Sequence, residues 1–164
     1  MLGPMGRGVR MLAVAAVVLS SCSGNGQDRE TASTTASTEP ELDSCGLLSE
    51  QEVSEATGSE VTGADTADDG RRCEYTFEDG LDGVSLSVTP ENGAELFEQA
   101  QELFPEATSE ISGLGDAAYW DSQLQSVNVL ADDTTFSIAV QLIPVDPASE
   151  QMATTMARAV LGRL

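Results

Sequence analysis

The clearest signal along the chain is a strict alternation of apolar and polar residues in three places. Cys73, Tyr75 and Phe77 alternate with Glu74, Thr76 and Glu78, and Val84, Leu86 and Val88 alternate with Ser85, Ser87 and Thr89. Phe136, Ile138, Val140 and Leu142 repeat the pattern further on. A period of two sends one set of side chains to a buried face and the other to water, so each run predicts a half-buried strand. Gly and Asp residues over 78–83 supply a turn between the first two runs, predicting an antiparallel hairpin that Pro90 closes. Gly113 and Gly115 predict a tight turn into a strand that holds Ala117, Ala118, Tyr119 and Trp120. Leu124, Val127 and Val129 predict another strand, which turns at Ala131-Asp132-Asp133.

The remaining apolar residues fall at helical spacing. Ser49 and Glu52 fit a capping box, Leu48 and Val53 the matching hydrophobic staple, and Gly58 a C-terminal stop, predicting a helix over 50–57. A second helix over 93–104 carries Leu96, Phe97, Ala100, Leu103 and Phe104 on one face and stops at Pro105. The last begins with Asp146 as N-cap and Pro147 at its first position, and Met152, Ala153, Met156, Ala157, Val160 and Leu161 form its stripe. Arg158 and Arg163 lie toward the negative end of its dipole. Residues 63–70 (GADTADDG) read as a polar loop. Antiparallel strands with one apolar face pack most economically under helices. The expected class is therefore α+β, a single antiparallel sheet of about five strands with the helices on one face. The order suggests a loose helix-hairpin duplication.

Ahead of this region the pattern changes. Arg7 and Arg10 precede an apolar run from Met11 to Leu19, far shorter than the roughly 20 apolar residues that cross a bilayer. A basic segment followed by a short apolar one reads as a signal peptide. Leu19-Ser20-Ser21-Cys22 then resembles a bacterial lipobox, in which an aliphatic residue and two small ones precede a cysteine that accepts diacylglycerol. An ordinary signal peptide with a chance cysteine is the alternative. Residues 23–41, rich in Ser, Thr, Ala and Gly without a bulky apolar residue, read as a flexible tether whose hydroxyls permit O-glycosylation. The expected organisation is a lipoprotein signal peptide over 1–21, lipidated Cys22 with its tether over 22–44, and a globular domain over 45–164.

Composition then narrows the chemistry. The 164 residues contain 28 Asp and Glu against seven Arg, with no Lys and no His, for a net charge of −21. Without His there is no imidazole proton shuttle, triad base or His-ligated metal, and without Lys no Schiff base or phosphate-cradling lysine. Cleavage before Cys22 would remove Arg7 and Arg10 and no acid, taking the charge to −23. Such a surface repels nucleic-acid phosphates, so nucleic-acid binding is not expected, while cations and basic partners are attracted.

Three cysteines are present. With Cys22 lipidated, Cys45 and Cys73 remain as an even pair suited to a disulfide in an oxidising compartment, two buried free thiols being the alternative. No metal site is expected from two thiolates alone. Asp65, Asp68 and Asp69 miss the spacing of a calcium loop and read as a solvated acidic turn. Trp120 reads first as core packing. The sharper reading makes Tyr119 and Trp120 the lining of a ligand cleft.

The chain as a whole resembles a family of actinobacterial cell-envelope lipoproteins defined by a secreted domain of unknown function. The residues that carry the likeness are the lipobox at Cys22, the Ser/Thr-rich tether and Cys45-Gly46-Leu47-Leu48 entering a Glu-Val helix. Cys73-Glu74-Tyr75, the stretch from Gly113 to Trp120, and Ala159-Val160-Leu161 with Arg163-Leu164 complete it. The resemblance implies an exported, lipid-anchored, disulfide-bonded domain and no particular activity.

The expected function is that of a non-enzymatic binding or accessory module outside the membrane, held there through Cys22. It would recognise a small ligand, a wall component or a protein partner, with no cofactor. A structural or cation-sequestering envelope protein is the alternative. A hydrolase built on paired carboxylates, which needs neither His nor Lys, ranks last.

Overall fold

A computed structural model describes residues 42–78, 80 and 82–164; the expected signal peptide, Cys22 and the expected tether up to residue 41 lie outside the described residues. The described residues open with two short helices, α1 (Ser44–Leu47) and α2 (Glu50–Thr57). Ser49 and Glu52 cap α2 reciprocally, and Gly58 ends it in the left-handed conformation. A meander of β1 (Val61–Ala67), β2 (Arg72–Phe77) and β3 (Gly83–Thr89) follows. Helix α3 (Gly93–Leu103) leads through a 3-10 turn, Pro105–Ala107, into β4 (Thr108–Glu110), β5 (Ala117–Asp121), β6 (Ser126–Ala131) and β7 (Thr134–Gln141). Helix α4 (Ser149–Leu161) closes the domain.

All seven strands form one antiparallel sheet, ordered β1-β2-β3-β7-β6-β5-β4. The α+β class therefore holds, but the sheet is larger than the five strands expected. The two additional strands are its two edges. An edge strand buries little, so β1 needs no apolar alternation, and the stretch read as a polar loop over 63–70 instead pairs with β2 as far as Ala67. The three-residue β4 is too short to leave a periodic signal.

Register assigns each strand residue to a face, because directly paired residues point the same way. Leu86 of β3 lies opposite Cys73 and Ile138, Ile138 opposite Val127, and Val127 opposite Trp120. This apolar face packs against Leu48 and Val53 from the N-terminal helices and Ala153, Met156, Ala157 and Val160 from α4, forming the main core. Helix α3 lies on the other face. Its Phe97 meets Tyr119, and Tyr119 pairs with Asn128 on the side away from Trp120. The expectation that the helices share one face is thus overturned. The polar side of the strands still exposes backbone and short side chains that a single apolar stripe can cover. Because α2 and α3 precede their meanders on opposite faces, the loose duplication is not expressed in the packing.

Start and stop signals differ in one further place. Asp146 does not cap α4, which begins at Ser149 with Ala148 at the cap. Its carboxylate accepts from the Ala148 N–H at 2.7 Å and its carbonyl from the Ser149 N–H at 3.0 Å, so an Asx-type turn through Pro147 precedes the helix.

Three ties hold the N-terminal helices to the rest of the domain. A disulfide joins Cys45 of α1 to Cys73 of β2, a separation of 28 residues. The Tyr75 hydroxyl donates to the Leu48 carbonyl between the two helices, and burial raises its phenol well above the usual range. Glu52 of α2 pairs with Arg163 past the end of α4 at 2.6 Å. At the β1–β2 turn, Gly70 has φ +83°, and a Cβ there would meet the Leu42 carbonyl oxygen.

Two outcomes are expected. The double change Cys45→Ala with Cys73→Ala should lower stability by about 3 kcal/mol in urea unfolding, as closure of a loop this long implies, and a change below about 1 kcal/mol would contradict the tie. Glu52, held down to about 2 by the Arg163 guanidinium and the Ser49 cap, contributes stability that is present above its unfolded value of 4.5 and lost as pH falls toward 2. Stability measured from pH 5 to pH 2 should therefore fall less steeply in Glu52→Gln, with the difference shrinking in high salt.

Candidate functional site

The polar face of the sheet carries a row of hydrogen-bonding side chains set directly opposite one another. Ser87 of β3 faces Ser137 of β7, Ser137 faces Asn128 of β6, and Asn128 faces Tyr119 of β5. Arg72 extends the row at one end and Glu110 at the other. At a strand spacing of about 4.8 Å, the six positions span roughly 24 Å.

Helix α3 covers the middle of this row. Its first residue donates to the Asp133 carbonyl at 2.9 Å, fixing the helix to the β6–β7 turn. Phe97 is its buried anchor, meeting the Tyr119 ring edge-on with centroids 5.0 Å apart. Beside this contact a groove of about 270 Å³ runs between helix and sheet. Ser87, Asn128, Ser137 and Tyr119 line its floor, and Leu96 and Ala100 line its wall. Burial, reinforced by Asp121, raises the Tyr119 phenol, so that hydroxyl stays protonated and can donate. The groove thus offers neutral donors and acceptors against an apolar wall.

Tyr119 and Trp120, named together from the sequence as cleft lining, are not brought together. As neighbours on one strand they point to opposite faces: Tyr119 lines the groove, while Trp120 packs, half-buried, against the main core. The floor residues Ser87, Asn128 and Ser137 were not singled out. Their only signal was alternation with the apolar positions, which read equally well as water-facing. Gly115 serves the turn expected of it, with φ +62° and no room for a Cβ beside the Leu130 carbonyl. The Asp116 carboxylate next to it accepts from the Asp132 N–H at 2.7 Å. Asp65 lies on the edge strand opposite Glu74, and Asp68 sits 3.9 Å from Arg72. Among the described residues no group of three or more Cys, Asp or Glu side chains is placed to hold a metal ion.

Because Phe97 is the one large buried side chain of α3, Phe97→Ala should loosen the helix locally rather than unfold the domain. Amide-exchange protection over 93–103 should fall by roughly 30-fold, equivalent to about 2 kcal/mol, while the main core keeps its protection. An equal loss throughout the domain would make α3 part of the cooperative core. No known protein-family model matches the chain, and no curated protein matches it either.

Proposed function

We propose that the protein is an exported, lipid-anchored binding or accessory module of the cell envelope, without catalytic activity. The observation that carries this reading is the order of signals before the folded domain. A basic segment, a short apolar run, Leu19-Ser20-Ser21-Cys22 and a Ser/Thr-rich tether follow one another in the sequence a bacterial lipoprotein requires. Acyl chains on Cys22 would hold the chain at the outer face of the membrane, each buried methylene contributing about 0.8 kcal/mol. The bond between Cys45 and Cys73 suits the same oxidising location.

The groove beneath α3 supports binding over catalysis through its donor set of hydroxyl and amide groups. The ligand it would hold is neutral or cationic, since an acidic domain repels anions. The actinobacterial lipoprotein resemblance points the same way.

Metabolic labelling with an alkyne fatty acid tests the anchor. Label should appear on the wild-type chain in the membrane fraction and be absent from Cys22→Ala. Label retained by that variant, or an unlabelled full-length chain in the cytosol, would contradict the reading.

A further inference from the structure

Of the seven large apolar side chains exposed among the described residues, five gather at one end of the sheet. They are Leu103 (71% exposed), Phe104 (38%), Leu124 (56%), Ile143 (74%) and Val145 (62%). Hydrogen bonds set their three loops side by side. The Ser122 N–H and hydroxyl both meet the Ala107 carbonyl at 3.0 Å, joining the exit of α3 to the β5–β6 turn. The Val140 N–H donates to the Gln125 carbonyl at 2.9 Å, joining that turn to the last residues of β7. The segment carrying Ile143 and Val145 follows directly, with the Ile143 N–H donating to the Asp82 carboxylate at 2.9 Å. Scattered exposed apolar residues need no explanation, but a concentration of them at one end does.

The arginines, but not the acids, are distributed with the same asymmetry: Asp68, Asp69, Glu91, Asp116, Asp132 and Asp133 lie at the opposite end. Glu78, Asp82, Glu102, Glu106 and Asp146 belong to the loops and helix ends around this apolar end. The four described arginines lie elsewhere: Arg71 and Arg72 follow the β1–β2 turn, and Arg158 and Arg163 lie in and just past the second half of α4, which runs away from this end. The Ser44 N–H donates to the Gly70 carbonyl at 2.9 Å, so the residues that join the preceding segment also sit at the opposite end, beside the β1–β2 turn.

We propose that the end formed by Leu103, Phe104, Leu124, Ile143 and Val145 docks a partner protein through an apolar surface ringed by Lys or Arg. The proposal rests on the accessory-module reading for its setting and adds the partner's chemistry. Apolar residues supply the contact, and the acidic rim selects the sign of the partner's charge. A second copy would bring the same acids face to face, and an anionic bilayer would be repelled, so both are disfavoured. The apolar end lies across the sheet from residue 44.

The test uses the full chain in detergent solution and two synthetic peptides of equal length and charge, one of Lys and Leu and one of Lys and Ser. The Lys/Leu peptide should bind at least about 10-fold more tightly, with NMR shifts over 103–104, 122–125 and 142–146. The pair Ile143→Ser with Val145→Ser, and separately Leu124→Ser, should each weaken that binding by about 10-fold without lowering the melting temperature. These exposed positions leave folding and charge unchanged. Equal binding of both peptides would reduce the effect to bulk charge and overturn the proposal. So would undiminished binding by the Ser variants. Self-association or vesicle binding lost in those same variants would assign the surface to a second copy or to lipid instead. Any of these failures, with fatty-acid label still present on Cys22, removes the docking surface and leaves the anchored-module reading standing.

Discussion

The bond between Cys45 and Cys73 is the constraint on which both the fold and its setting depend. Helices α1 and α2 are four and eight residues long, too short to persist alone, and Leu48 between them and Val53 of α2 enter the core. Cys73 is fully buried in β2, opposite Leu86, so the crosslink fastens these short helices to an interior strand of the sheet. The Tyr75 hydroxyl, two residues on, grips the Leu48 carbonyl from the same strand face. A crosslink of this kind restricts the unfolded chain most, and it persists only where thiols are oxidised. The same pair of sulfur atoms therefore bears on how the domain holds together and on where it can live.

The sheet separates two kinds of work. Its apolar face, closed by α1, α2 and α4, is the structural core and has no reason to change. Its opposite face is covered only in part, by a helix that buries Gly93 and Phe97 and little else. Helix α3 buries two residues over the row from Ser87 to Tyr119, whereas α4 buries six on the other face. The exposed apolar end adds a third surface, formed where loops from both halves of the meander meet.

Legibility in the sequence followed burial. Strands β2, β3 and β7 alternate buried residues with half-buried or exposed ones, so their periodicity could be read directly. The edge strands could not, because Val61–Ala67 is stabilised by its ladder with β2 rather than by buried side chains. The capping box at Ser49 and Glu52 was legible because it is local, and so was the left-handed Gly58. Asp146 misled for the opposite reason: the same side chain suits a cap or an Asx turn, and tertiary context chose the turn. Which face α3 would occupy depends on nonlocal register, and no pattern within residues 93–104 reports it. The separation of Tyr119 from Trp120 needed no structure at all once both were placed on one strand.

On the proposed reading the chain combines an anchoring signal with a crosslinked domain and surfaces for holding other molecules. Its three cysteines make that account countable: one acylated, two bonded to each other, none free. The decisive measurement is the number of reactive thiols per chain in protein trapped by acid quenching of intact cells and alkylated under denaturing conditions. The account predicts zero, rising to two after reduction. Two free thiols before reduction would place Cys45 and Cys73 in a reducing compartment, and three would also leave Cys22 unmodified; either result contradicts it.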